Sequence, residues 1–408
     1  MDARRDADVF ERARTRMLAV VSCSLFLSVL VWFNYSAVLP AIVADWGLSG
    51  TRAGIVFAAF QAGYLLAIVP VGMVVDRRTP RGVIGVGATV TGGASLLFAL
   101  LASGFLAGTG LRFLAGIGMA GVYVPGMRFV AEWYPEAERG TAMGVYVGTF
   151  SAGSGLSFLL AGTIAAAFDW RIAVAATSVG ALCVGPLVLG LGRDAPGADR
   201  AEGGFDLAVL RNRAYLAAVG IYSWHNWELF GMRNWLPAFL LTVPAIAMTD
   251  SPGLVAGTLV GVAVALGGPG NLVGGALSDR LGRMRVIGIG LTASGLISAL
   301  LGLLGGLPIG LLVAVVLVYG VVITMDSAPT STTVTEVVAP ERIGTALSIQ
   351  SFIGFSTTVV SPVVFGWALD AGGYAVAFPT LAAGAFAGLV CVGAFRATTR
   401  RSVPRRTR

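Results

Sequence analysis

Gly72-Met-Val-Val-Asp76-Arg77-Arg78-Thr-Pro-Arg81 and, half a chain later, Gly275-Ala-Leu-Ser-Asp279-Arg280-Leu-Gly282-Arg283 are two copies of one phrase. Their aspartates are 203 residues apart in a chain of 408, so each holds the same place in its half. Each copy closes a long apolar run, where charge is expensive unless it marks a membrane surface. The repetition continues outward. Pro135-Glu-Ala-Glu138-Arg139-Gly-Thr-Ala142 is echoed by Pro340-Glu341-Arg342-Ile-Gly-Thr-Ala346, and Leu39-Pro40 by Leu236-Pro237.

The surroundings of these phrases are those of a membrane protein. The chain is 56% hydrophobic and 12% charged, with a mean hydropathy of +0.82, whereas soluble domains carry roughly 25% charged residues. Twelve apolar runs can be counted, near 17–40, 51–75, 81–102, 105–130, 140–167, 172–192, 213–242, 253–277, 285–306, 308–333, 342–370 and 374–396. Each is long enough to cross a hydrocarbon core of about 30 Å as a helix. The expected fold is therefore an all-α integral membrane protein of twelve transmembrane helices in two pseudo-symmetric six-helix bundles. Its parts are a segment 1–16, a first bundle 17–192, a linker 193–212, a second bundle 213–396 and a basic tail 397–408.

Charge placement orients it. With the N-terminus inside, Arg4, Arg5, Arg12, Arg14, Arg16, Arg77, Arg78, Arg81, Arg139, Arg193, Arg280, Arg283, Arg285, Arg342 and the tail share one side, against only Arg52 and Arg171 on the other. This positive-inside pattern predicts an inner cell membrane protein with both termini cytoplasmic. The net charge of +7 is thus read as topology, and no nucleic-acid partner is expected. The three cysteines fall within apolar spans and read as packing residues. There is no lysine, so the glycine-rich run at Gly267 cannot be a phosphate-binding Walker loop, and His225 is the single histidine. Neither a cofactor nor a metal site is expected, and the chain is not read as an enzyme.

The pattern G-x-x-x-D-R-x-G-R between spans 2 and 3, and again between spans 8 and 9, resembles the signature loop of the major facilitator superfamily. Twelve spans, a central linker and Arg112-Phe-Leu-Ala-Gly116-Ile-Gly118 in span 4 are similar to it as well. The first loop departs from the pattern, with Thr79-Pro80 where Gly-Arg is usual. The resemblance implies alternating access around a midplane site between the halves, with the loops governing conformational switching and not touching substrate. It also implies anion or proton-coupling chemistry for Arg112. Span 5 lacks the Gly-Pro of the family's antiporters, and span 1 lacks a membrane-embedded acid, which lowers a drug-efflux reading.

The residues sort into two groups. The conformational latch is expected from Asp76, Arg77, Arg81, Asp279, Arg280, Arg283, Glu138, Arg139, Glu341 and Arg342; plain topogenic charge at a membrane edge is the alternative. Substrate or proton coupling is expected first from span 7, Ser223-Trp-His225-Asn226-Trp227-Glu228 followed by Arg233. His225 and Glu228 are three apart and share a helical face, as a proton-accepting pair would; a polar seam between helices is the other reading. Arg112 lies about 10 Å into span 4 at 1.5 Å per residue. It serves either an anion or the bracing of the bundle. Asp326 in span 10, and Asn34, Tyr35 and Gln61 in spans 1 and 2, complete the candidates. The function expected is secondary transport of a small anionic or polar organic solute, coupled to protons. The alternatives are a proton-driven drug or metabolite exporter, or a non-transporting sensor on the same fold.

Overall fold

The structure is a computed structural model that describes residues 2–195, 207–339 and 342–401. Most of the linker, the end of the tail and Glu341 lie outside the described residues, as does the side chain of Asp76. Helices account for all the regular structure among the described residues.

Six long helices form the first half: α1 Asp2–Ala37, α2 Gly50–Arg77, α3 Pro80–Leu101, α4 Phe105–Trp133, α5 Glu136–Ala167 and α6 Trp170–Leu191. Six more follow. They are α7 Arg213–Thr242, α8 in two pieces (Pro252–Ala265, Gly267–Leu281), α9 Arg283–Leu301, α10 in two pieces (Ile309–Val322, Ser327–Glu336), α11 Ile343–Gly372 and α12 Tyr374–Arg401. Among the described residues, eleven of these spans are long and apolar enough to cross a membrane. The twelfth, α7, is 30 residues long and is made less apolar by its polar cluster.

The chain divides into two compact units, one of residues 1–46 and 59–202, the other of 47–58 and 203–408. In the first, α1 packs on α5 and α6, and α3 on α4 and α6; in the second, α7 packs on α11 and α12, and α9 on α10 and α12. The same partners recur six spans on, so the repeat seen in the loops is a repeat of packing. Where α3 meets α4 the backbones nearly touch: a Cβ on Gly87 would lie 2.6 Å from the Gly118 carbonyl oxygen, the close approach that small residues permit in membranes.

Local sequence explains the helix ends. Asp169 accepts from Ile172 N (2.8 Å) and starts α6, while Asn212 accepts from Ala214 N and Tyr215 N and starts α7; such side chains satisfy amides left free in a first turn. Within the second unit, Asp370 at the end of α11 does the same for α2, accepting from Gly50 N (2.6 Å) and Thr51 N (2.8 Å). The two signature loops turn differently. Gly282 ends α8 at φ +91°, a conformation open to glycine. Its counterpart Thr79 stays extended at φ −68°, and Pro80 opens α3 with its fixed φ. Thr79-Pro80 is thus a second solution to the same corner.

Candidate substrate and proton site

The polar face of α7 is the start of a buried cluster in the second unit. Glu228 is 1% exposed, and its carboxylate is held by hydroxyls from two neighbouring helices. Ser298 donates to Oε1 (2.6 Å), Ser294 to Oε2 (2.8 Å), and Tyr319 of α10 lies 2.5 Å from Ser298 Oγ. Ser294 and Ser298 are one helical turn apart on α9, so one face presents both hydroxyls. A hydroxyl can donate to an ionised carboxylate or accept from a protonated one after its O–H rotates. This cage accommodates either protonation state, as an arginine partner would not.

One turn earlier on α7, His225 Nδ1 lies 2.9 Å from Asp326 Oδ1, and its Nε2 lies 3.0 Å from Ser327 Oγ. Asp326 reaches that position because α10 is interrupted. The helix stops at Val322, runs through turns and restarts at Ser327, which puts Asp326 at the head of the second piece. It does not cap that piece through its side chain, which meets the imidazole instead. Both carboxylate oxygens are buried and accept no well-aligned hydrogen bond among the described residues. The break in α10 leans on the break in α8: Thr324 donates to the Gly267 carbonyl (3.1 Å), and a Cβ at Gly274 would collide with the carbonyl of Met325. Pro269 supplies no amide to the ladder and clashes with the preceding turn, which accounts for the interruption of α8. Interrupted spans with buried polar backbone are where transporters of this kind build their sites.

The first unit has a separate buried charge. Arg112 is 1% exposed and forks onto the backbone of α1, donating to Val31 O (3.0 Å) and Trp32 O (3.2 Å) and weakly to Asn34 Oδ1 (3.4 Å). Its guanidinium also lies over the rings of Phe60 (4.5 Å) and Tyr35 (5.4 Å). Asn34 in turn donates to Thr177 and Ser95 at 3.1 and 3.3 Å. This network sits immediately before the end of α1 at Ala37.

The remaining candidates are distributed more widely. Arg233 is buried with its guanidinium 5.9 Å from the Phe230 ring, and Gln61 is buried in α2. Of the loop charges, Arg283 gathers three partners: Asp279 (2.6 Å), Ser278 (2.8 Å) and Glu336 (3.0 Å). In the first unit Arg81 donates to Gly192 O (3.0 Å) and lies 3.7 Å from Asp194. Glu138 pairs with Arg14 (2.6 Å), and Arg139 donates to Tyr134 O (3.3 Å). Arg77, Arg280 and Arg342 are exposed. Ser294, Ser298, Tyr319 and Glu336 join the candidates only through the packing of the helices. The signal for the two serines was their spacing of four on an otherwise apolar span.

Duplicated bundles of apolar helices with ionisable groups buried inside them define a membrane transport protein. The profile of the Major Facilitator Superfamily matches residues 21–355 and 229–408, and the chain belongs to that family. It is similar to the "Probable sulfoacetate transporter SauU" of Cupriavidus necator, 25% identical over 297 residues. That match spans 66% of this chain and 66% of the relative's own length. It is also similar to the "Probable L-galactonate transporter" of Escherichia coli, 23% identical over 88% of this chain and 84% of that one. Several further curated relatives are matched over only 27% to 39% of their length. Among solved structures, a bacterial homologue of the human lysosomal transporter Spinster has a TM-score of 0.81 at 16% identity, covering 95% of this chain and 97% of that one. At that identity the likeness concerns the fold.

Proposed function

We propose that this transporter moves a small organic anion by alternating access and is driven by protons taken up in its second bundle. The observation that carries the reading is the Glu228 carboxylate, buried in a cage of hydroxyls with the His225–Asp326 pair one turn away. Ionisable groups this deep in a membrane bundle are rare and serve ion or proton pathways. The cage holds the carboxylate in either state, and His225 can pass a proton between Asp326 and Ser327 through its two nitrogens.

The anionic substrate class is supported by the relatives, whose names give sulfoacetate and L-galactonate, both organic anions. Arg233, on the same helix as Glu228, is assigned to the anion. Arg112, committed to carbonyls of α1, is assigned to holding the end of that helix, and Asn34, Tyr35 and Gln61 to the polar surround of the first bundle. The loop charges around Asp279, Arg283 and Glu336, with Arg81, Glu138 and Arg139 in the first half, are assigned to the latch between access states.

Uptake into proteoliposomes over a panel of organic anions, with and without a pH gradient, tests this. Glu228→Gln should abolish accumulation driven by the pH gradient, a loss of at least about tenfold, while leaving solute counterflow intact, because exchange needs no net proton movement. Unchanged gradient-driven accumulation in Glu228→Gln would remove the proton role.

A further inference from the structure

The second unit carries a groove unconnected with the buried cluster. Two adjoining cavities open between α9 and α12. One, of about 510 Å³, lies where α9 begins and is walled by Arg283, Arg285, Arg396 and Glu336. The other, of about 660 Å³, continues along the two helices over Ile289, Leu296 and Leu389, and shares Arg285 and Arg396 with the first.

The groove lies on the outward side of its bundle. At 100° per residue, Ile289, Thr292 and Leu296 form a stripe opposite the one that sends Ser294 and Ser298 to Glu228. Ile289 and Leu296 are each 52% exposed, as side chains of a span are when they face hydrocarbon. The slot is deepened by two glycines on facing helices. A Cβ on Gly288 or on Gly393 would meet nothing within 4 Å, so each position leaves open a space that a side chain would fill.

The mouth of the groove is basic. Arg285 and Arg396 are exposed, and Arg396 is held across the opening by its donation to the Met284 carbonyl (2.8 Å). Glu336 on the rim is already bonded to Arg283, as is Asp279. The rim therefore keeps two arginines free of carboxylate partners among the described residues. The N-terminus of α9, a helix of 19 residues, begins at the same point and adds its dipole. An apolar slot that ends in two guanidiniums and a helix start, at the end of a membrane span, matches a phosphate carrying an acyl chain.

We propose that this groove binds one anionic phospholipid. Its phosphate sits between Arg285 and Arg396 at the start of α9, and an acyl chain lies over Gly288 and Gly393. The assignment is independent of the substrate and of proton coupling.

Native mass spectrometry of the full chain in detergent tests it, titrated with phosphatidylglycerol, with phosphatidylethanolamine of the same acyl chains, and with glycerol 3-phosphate alone. The wild type should retain phosphatidylglycerol over phosphatidylethanolamine. Arg285→Gln with Arg396→Gln should weaken that retention about thirty-fold, at the worth of two juxtamembrane arginines, and the matching pair of lysine substitutions should restore most of it. Gly288→Leu should also weaken it with every charge in place, whereas Arg211→Gln with Arg213→Gln, a charge-matched control, should not. Three outcomes would overturn the site: retention unchanged in the glutamine pair, equal loss in the control pair, or glycerol 3-phosphate binding as tightly as the whole lipid.

Discussion

Arg112 and Glu228 are both ionisable groups deep in apolar helices, and they meet the cost of burial in opposite ways. Arg112 spreads its guanidinium over two successive carbonyls of α1, which needs a planar fork of donors. Lysine keeps the charge but cannot reach both carbonyls in that geometry. Arg112→Lys should therefore lower stability by about 2 kcal/mol, in the range of hydrogen bonds to charged groups, read as a lower thermal midpoint with KM for the anion unchanged. A raised KM with an unaltered midpoint would instead place Arg112 at the substrate. Glu228 is met by Ser294, Ser298 and Tyr319, groups with no fixed charge. The candidates at these positions were visible from their depth in each span. Their partners were not, because Val31 O, Trp32 O and the two serines approach only once α1 packs near α4 and α9 packs near α7.

At the scale of elements, the informative feature is the paired interruption of α8 and α10. Gly270 and Gly274 bring the second piece of α8 against Val321, Thr324 and Met325, and a side chain at either glycine would strike backbone. Gly274→Val should overpack this contact and destabilise the second bundle by about 1–3 kcal/mol, detected as a lower melting temperature in detergent. It should also lower gradient-driven uptake, since the same turn positions Asp326 beside His225. The glycine-rich run from Gly267 to Gly275 stands out in the sequence. The break in α10 has its own proline: Pro329 is the third residue of the second piece, as Pro269 is in α8, and it supplies no amide to the Met325 carbonyl. The signature loops work in the same way, with Gly282 and Pro80 each setting a corner through its own backbone chemistry.

For the whole molecule, the pairing of α1 with α5 and α6 recurs as α7 with α11 and α12, so one bundle design is used twice with different contents. The first bundle buries Arg112 and Asn34, the second His225, Glu228 and Asp326. The arginine asymmetry of the loops predicts that both ends of the chain are cytoplasmic. A fluorescent-protein fusion at the C-terminus should fluoresce and an alkaline phosphatase fusion there should be inactive; the opposite pair of results would invert the topology.

The lengths of the apolar runs, the duplication and the charge placement were enough to read twelve spans and two halves from the residues alone, because a bilayer imposes span length and apolarity on each helix separately; the resemblance to the family was carried by the signature loops. The partners of each buried charge belong to the tertiary structure. A carboxylate on one helix is satisfied by hydroxyls or an imidazole that are dozens of residues away in sequence, and only the packing of α7, α9 and α10 decides which of them lie within hydrogen-bonding distance.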